Sequence, residues 1–265
     1  MRTALTIAGS DSIAGAGIQA DLKTFAALGV YGVSALTAVT VQNTEGTAGI
    51  LSLSTEIVGA QIDQVAVDVE IAAVKTGMLS TAAIVMAVCE RIEALPLRNL
   101  VVDPVMMSGR GARTLLAPDA VSILKTRLLR AATVVTPNLD EAAALSGIQV
   151  DSLATAREAA KRIAGFGPTA VVIKGGHLKG AEAIDLLFHT GTFIELATPR
   201  SAFDDIHGTG CTFASAIAAG LALGDDVPAA AQRAKRYIAG AIEHSFAIGH
   251  GARVLNHFWE RPLPR

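Results

Sequence analysis

Asp204-Asp-Ile-His-Gly-Thr-Gly-Cys-Thr-Phe-Ala-Ser-Ala-Ile-Ala-Ala219 is the stretch from which the rest of the chain can be read. Gly208 and Gly210 open a helical run, so the first free backbone N–H groups face a loop without side-chain bulk. Unpaired amides and the positive end of the helix dipole favour a phosphate or a developing oxyanion there. Gly208, Thr209 and Gly210 are therefore candidate catalytic and phosphate-binding positions. Cys211 falls in the first turn, where the same field is expected to lower a thiol's pKa and make it a possible base. The competing reading is a tight glycine turn followed by a small buried cysteine.

Outward from this helix, short β-rich apolar runs alternate with amphipathic or Ala-rich stretches. Strands are predicted at 4–8, 33–41, 72–75, 100–102, 133–136 and 170–173. Helices are predicted at 18–28, 56–67, 81–94, 118–129, 139–146, 154–165, 212–223 and 228–246. That alternation is the pattern of βα units around a largely parallel sheet, so the predicted class is α/β. Runs at 184–189 and 192–196, joined around Gly191, read as a hairpin at one sheet edge. With no internal repeat, low-complexity linker or charge run, the expectation is one unit over residues 1–265.

Hydrophobic residues make up 51% of the 265 but aromatics only 4%, so the core has to be built from Ala, Val, Ile and Leu. A net charge of −2 with scattered signs gives no basic stripe for nucleic acid, and a small-molecule partner is expected. Cys89 and Cys211 stand far apart in unlike contexts, without metal-type spacing or a disulfide framework. The apolar stretch at the N-terminus is shorter than a signal peptide's core of about 7 to 15 residues. The longest apolar runs fall short of the roughly 18 residues that span a bilayer. A cytoplasmic protein that does not enter the membrane is the expectation.

The polar residues at the strand ends carry the chemistry: Gly9-Ser10-Asp11, Gln42-Asn43, Lys75-Thr76-Gly77-Met78, Asp103-Pro104-Val105, Thr136-Pro137-Asn138 and Lys174-Gly175-Gly176-His177. Ligands of open α/β sheets bind outside the carboxyl ends of the strands, so these groups predict one composite site. Asn138 and Glu141 share a helix face and could hold Mg²⁺ through waters. The same spacing is also the signature of a helix capping box. Asp103 could orient the metal's waters or a reacting hydroxyl, Lys174 could place a charge on a phosphate, and Gln42 offers a donor and an acceptor to a heterocycle edge. Asp21 could complement a first-turn helix dipole, and Met78 could line an apolar slot.

Other chemistries are less well served. No stretch matches the G-x-x-x-x-G-K-[ST] phosphate loop. Gly15-Ala-Gly17-Ile-Gln-Ala20 fits a loose dinucleotide pattern, but residues 10–14 separate it from the first strand and the next strand ends in Gln42 instead of an acid. The six histidines lack zinc-ligand spacing.

Taken in order, these motifs resemble those of the hydroxymethylpyrimidine/phosphomethylpyrimidine kinases of thiamine biosynthesis, within the ribokinase superfamily. The resemblance rests on Gly15-Ala-Gly-Ile-Gln-Ala-Asp-Leu-Lys-Thr24, Gln42-Asn-Thr44, Lys75-Thr-Gly-Met-Leu79, Asp103-Pro-Val-Met106, Thr136-Pro-Asn-Leu-Asp-Glu141, Lys174-Gly-Gly-His177 and His207-Gly-Thr-Gly-Cys-Thr212. It implies a ribokinase-like three-layer sandwich, a mostly parallel central sheet flanked by helices, with a small β flap. It further implies ATP as co-substrate, Mg²⁺, a pyrimidine acceptor and a homodimer. Gln42 would bond the aminopyrimidine, with Gly9, Asp21, Met78 and Val105 lining its pocket. Asp103, Asn138 and Glu141 would organise Mg²⁺, Lys174 would meet ATP phosphates, and the amides of Gly208 to Cys211 would form the anion hole. The chain departs from the family pattern at Ile13-Ala14, at Asp205-Ile206 and in the turn His250-Gly-Ala-Arg-Val254. Pyridoxal kinase activity on the same scaffold is the nearest alternative. Cysteine-based acyl transfer with His207 as base, or a catalytically silent pyrimidine sensor, lie further off.

Overall fold

Side chains alternate with a period of two along the central strands and divide the interior into two cores. Leu5 and Ile7 of β1 (Thr3–Ser10), Val74 of β4 (Ala73–Thr76) and Val171 and Ile173 of β7 (Ala170–Ile173) face one core. Ala4, Ala73, Ala170 and Val172 of the same strands face the other. β5 (Leu100–Val102) and β6 (Val134–Val135) divide likewise, Val102 and Val135 to the first core, Val101 and Val134 to the second. A sheet apolar on both faces has to be covered on both. The first face receives α2 (Thr55–Asp68), α3 (Ala82–Ala94), α6 (Leu139–Ser146) and α7 (Leu153–Ala164). The second receives α1 (Gly17–Ala27), α8 (Thr209–Leu223) and α9 (Val227–Glu243). The computed structural model describes residues 1–107, 115–176, 178 and 180–260; His177 of the quoted Lys174 motif lies outside them.

Among the described residues the main sheet runs β3-β2-β1-β4-β5-β6-β7-β8-β9. Pairing is parallel from β2 (Tyr31–Gln42) through β7. It is antiparallel at both edges, with β3 (Thr47–Ser52) on one side and the hairpin of β8 (Glu182–His189) and β9 (Thr192–Pro199) on the other. The hairpin turn is Thr190-Gly191, both at positive φ, as a two-residue type I′ turn requires. After β1 and β2 the order reverses across β1 towards β4, a topological switch point. A ligand crevice is expected at the carboxyl ends of these strands.

The α/β class and the predicted strands stand, with differences at the ends. β3 was not foreseen because its mostly exposed or half-exposed TAGILS segment carries no clean apolar alternation. The two-residue strands β10 (Ile206–His207) and β11 (Arg253–Val254), paired in parallel, are too short to leave a pattern. The helix expected at 118–129 is α4 (Pro118–Ile123), a π-helical turn (Leu124–Leu128) and α5 (Leu129–Ala131). α8 begins at Thr209, earlier than predicted, because Gly208 at φ 84° serves as its N-cap. No helix among the described residues is long and apolar enough to cross a membrane.

Candidate active site

The opening of α8 is shaped by close backbone approach. A Cβ on Gly208 would fall 1.8 Å from the Gly15 carbonyl oxygen, and its φ lies in the left-handed region, so only glycine fits. The loop after β1 is pressed against it and gathered by Asp11, whose carboxylate accepts the N–H groups of Ile13 (3.0 Å), Gly15 (3.0 Å) and Ala16 (2.8 Å). The dinucleotide-like glycines therefore serve loop–helix contact. The first helical bond of α8 runs from Thr212 N–H to the Gly208 carbonyl, 3.0 Å, leaving the amides of Thr209, Gly210 and Cys211 ahead of the ladder. A Cβ on Gly210 would stand 3.1 Å from Lys174 Nζ and 3.7 Å from Asp103 Oδ2. The helix opening, the lysine after β7 and the aspartate after β5 thus meet at one point.

Lys174 Nζ donates to Asp103 Oδ1 at 2.8 Å and lies 3.9 Å from Glu141 Oε2. Burial works to lower the Lys174 pKa, but the two carboxylates outweigh it and hold the value above its ordinary range. Burial pushes Glu141 up to about 7; Lys174 opposes that shift and Asp103 adds to it. Asn138 and Glu141 form a complete capping box, Asn138 N–H to Glu141 Oε2 and Glu141 N–H to Asn138 Oδ1, each 2.8 Å. The capping alternative is the one realised. Asn138 acts as the cap that fixes Glu141.

Two buried carboxylates suit Mg²⁺, which takes one or two protein oxygens and leaves its other positions to water and phosphate. Among the described residues there is no group of three or more His, Cys, Asp or Glu that could hold a metal ion. Thr76 Oγ1, at the end of β4 next to β5, is buried without a hydrogen-bond partner among the described residues. It supplies a polar atom still open to a water or ligand.

Cys211 reverses the expectation of an acidic thiol. Burial pushes it up to about 11; Lys75 opposes the shift, while Asp103 and Asp21 add to it and a hydrogen bond from the Gly17 backbone lowers it. Desolvation and two neighbouring carboxylates outweigh the helix field. Asp21 also differs from expectation: it is fully buried, so it does not reach a pocket surface, and it stands beyond the first turn of α1. Its oxygens each lie 2.9 Å from Lys75 Nζ and accept the hydroxyls of Thr6 and Ser215, both at 2.6 Å. Ser215 comes one helical turn after Cys211, so this ion pair sits one turn beneath the thiol.

The remaining pocket positions converge at the strand ends. A Cβ on Gly9 would meet Met78 Cε at 2.4 Å, so the end of β1 is closed by the methionine after β4. Val105 is half-buried in the turn after β5, its N–H bonded to the Asp103 carbonyl at 2.9 Å. Gln42, at the end of β2, reaches His207 Nε2 at 2.8 Å and Thr47 Oγ1 at 2.9 Å. Sequence reading passed over the buried Lys75–Asp21 pair and the Asp11–His207–Gln42 contact. Asp11, Lys75 and His207 all lay in stretches singled out for other residues.

Fold and site together define an α/β protein in which helix amides, a lysine and two acids meet at the carboxyl ends of parallel strands. The sequence model of the family described as phosphomethylpyrimidine kinase matches residues 11–256, and the chain belongs to that family. It is 50% identical over 255 residues to the hydroxymethylpyrimidine/phosphomethylpyrimidine kinase of Streptomyces coelicolor, covering 96% of this chain and 94% of that one. It is 47% identical over 253 residues to a thiamine biosynthesis bifunctional protein of Geobacter sulfurreducens, covering 96% of this chain and 51% of that one. Among solved structures, the pyridoxal kinase of Staphylococcus aureus in complex with AMP-PCP and pyridoxal superposes with a TM-score of 0.91 at 37% identity, over 98% of this chain and 95% of that one. The ribokinase-like class expected from the sequence stands.

Proposed function

We propose that this chain, acting as one catalytic unit, transfers the terminal phosphoryl group of ATP to the hydroxymethyl oxygen of 4-amino-5-hydroxymethyl-2-methylpyrimidine, and then a second to the monophosphate, for thiamine biosynthesis. The observation that carries this reading is the meeting of the Gly210 position with Lys174 Nζ and Asp103 Oδ2 at the opening of α8. Phosphoryl transfer needs positioning and charge stabilisation more than covalent chemistry, and amides, ammonium and acids at one point supply them.

In each transfer the acceptor oxygen forms a bond to the γ-phosphorus, and the bond to the β–γ bridging oxygen breaks with its electron pair leaving on ADP. The amides of Thr209, Gly210 and Cys211 receive the equatorial oxygens, and Lys174 exchanges Asp103 for a phosphate oxygen. Mg²⁺, held by Asp103 and Glu141, would neutralise phosphate charge. The ring lies among Gly9, Met78 and Val105 with its edge on Gln42, while Asp21 acts from beneath through Lys75. With its pKa near 11, Cys211 takes the hydroxyl proton of the first acceptor only in its minor thiolate form. The second acceptor is already ionised near neutral pH and needs no such base.

Support for a homodimer comes from the β2–β3 ribbon, where Val39, Val41 and Leu51 are exposed on one face, Val39 paired with Leu51. Sedimentation of the protein should give twice the chain mass; a monomer at micromolar concentration would remove the dimer from this reading. For the activity, the protein is incubated with ATP, Mg²⁺ and either the aminopyrimidine or pyridoxal, and products are weighed by mass spectrometry. Mono- and diphosphates of the aminopyrimidine are expected. Phosphorylation of pyridoxal alone would overturn the reading.

A further inference from the structure

Gln42 and His207 are 165 residues apart in sequence, yet their side-chain ends meet at 2.8 Å. His207 Nε2 also lies 2.8 Å from Asp11 Oδ2, and the far end of the Gln42 carboxamide lies 2.9 Å from Thr47 Oγ1. The imidazole has little freedom to leave this position, since a single Cβ on Gly15 would fall 2.6 Å from its Cδ2.

Proton counting fixes the polarity of this chain of contacts. A ring nitrogen carries at most one proton, and a carboxylate only accepts. Burial works against ionisation of Asp11, but the hydrogen bond and charge of His207 and the loop amides of Ala16 and Ile13 hold its carboxyl below the usual range. The proton on His207 Nε2 therefore points to Asp11, and that nitrogen has no lone pair left for an amide N–H. The Gln42 atom opposite it has to be the carbonyl oxygen. A half-turn of the carboxamide, which exchanges two ends of the same shape, gives each contact a donor: the oxygen shares the Nε2 proton of His207 with Asp11, and the nitrogen donates to Thr47 Oγ1. One amide proton then binds Thr47, and the other is left for a ligand.

We infer that His207, fixed by Asp11, is a positioning residue that orients the Gln42 carboxamide so that it donates to an unprotonated ring nitrogen of the acceptor. This rests on the proposed contact between Gln42 and the acceptor ring and deepens it. The relay selects flat aza-rings that present a lone pair at that edge and works against rings that present an N–H there, where two donors would face each other.

The test compares Gln42→Ala, His207→Asn and His207→Gln in steady-state assays with aminopyrimidine and ATP varied separately. Glutamine places its amide nitrogen where the imidazole Nε2 stood, whereas asparagine stops one bond short. Gln42→Ala and His207→Asn are expected to raise the acceptor KM about tenfold, the loss of one hydrogen bond, with the ATP KM within about twofold. His207→Gln should restore the acceptor KM to within about threefold of the unmodified enzyme. In the wild-type protein labelled with ¹⁵N-histidine, His207 should carry a proton on Nε2. A neutral ring protonated only on Nδ1 overturns the inference, and this measurement decides the matter if His207→Asn does not fold. An unchanged acceptor KM in His207→Asn beside a raised one in Gln42→Ala also overturns it, as does an equal rise for both substrates. An unchanged acceptor KM in Gln42→Ala removes the contact between Gln42 and the ring and this inference with it.

Discussion

Replacing Glu141 with glutamine should abolish turnover and at the same time make the ligand-free protein more stable, by an amount that depends on pH. Glu141 titrates at about 7 in the folded chain against an ordinary 4.5, because burial disfavours its charge more than Lys174 favours it. Below about pH 4.5 the carboxyl is protonated in both states and contributes nothing; as pH rises to 7 the unfolded chain ionises first, so folding stability falls. Once both states are ionised the cost to the folded state is about 3 kcal/mol. Glutamine does not titrate and escapes this cost. It loses one acceptor for the backbone amides of Asn138 and Met106, which takes back about 1 kcal/mol. The variant should therefore match wild type near about pH 5 and exceed it by about 2 kcal/mol near about pH 8. Urea unfolding without nucleotide or metal across that range measures the difference, and kcat in the presence of both should fall by at least about a hundredfold. A stability difference that stays constant from pH 5 to pH 8 would refute the reasoning, because only a titrating group removed by the substitution can make it vary.

Cys211→Ala should slow transfer to the alcohol acceptor by about 10² to 10⁴ and transfer to the phosphate acceptor less, measured with each purified acceptor; equal losses would make the thiol a positioning group. With its pKa near 11, Cys211 should be alkylated by iodoacetamide about tenfold faster per pH unit, with no plateau between about pH 7 and 9. Mass mapping of the adduct would show a plateau if the thiol is acidic. Lys75→Met leaves Asp21 buried without its cation and should cost about 3 to 5 kcal/mol in urea unfolding; a loss under about 1 kcal/mol would mean that Asp21 finds another partner. Asp185→Asn weakens the bond from Gly175 N–H (2.8 Å) and the ion pair with Lys235 (2.8 Å) that together hold the turn carrying Lys174. The KM for ATP should rise about tenfold with the acceptor KM unchanged, and an equal rise in both would count against a role confined to that turn.

The sheet was legible because its strands are short apolar runs closed by polar turns, and both faces are buried. That Gly9, Gln42, Met78, Asp103 and Lys174 stand at or just beyond strand carboxyl ends was legible for a related reason: parallel strands deliver those ends to one side. What escaped was set by contacts between distant segments. The Asn138–Glu141 spacing suited a metal and a cap equally, and only the orientation of α6 shows the cap occupied. The Cys211 pKa was misjudged because a helix start is visible in sequence, while the burial of the thiol between Asp21 and Asp103 is not. Asp21 was placed in a pocket by resemblance. Its true partners, Lys75, Thr6 and Ser215, come from three other elements.

Those buried partners also favour the helix opening as the anion site of the proposed reaction. Lys75 is matched by Asp21 and Lys174 by Asp103, so in the ligand-free protein each ammonium already has a counter-charge at 2.8–2.9 Å. A phosphate competing for either lysine has to displace a buried carboxylate, and for Lys75 there is no exposed surface through which to do so. The amides of Thr209, Gly210 and Cys211 differ in kind: their positive end is a dipole fixed by backbone geometry, with no proton to lose. A side chain is excluded at Gly208, where the Gly15 carbonyl oxygen fills the Cβ position, while the Cβ position of Gly210 faces Lys174 Nζ at 3.1 Å. On the proposed reading, an incoming phosphoryl group binds there first, at no cost in broken ion pairs, and then draws Lys174 from Asp103. On that reading the glycines decide where the anion lands, and the lysine responds to it.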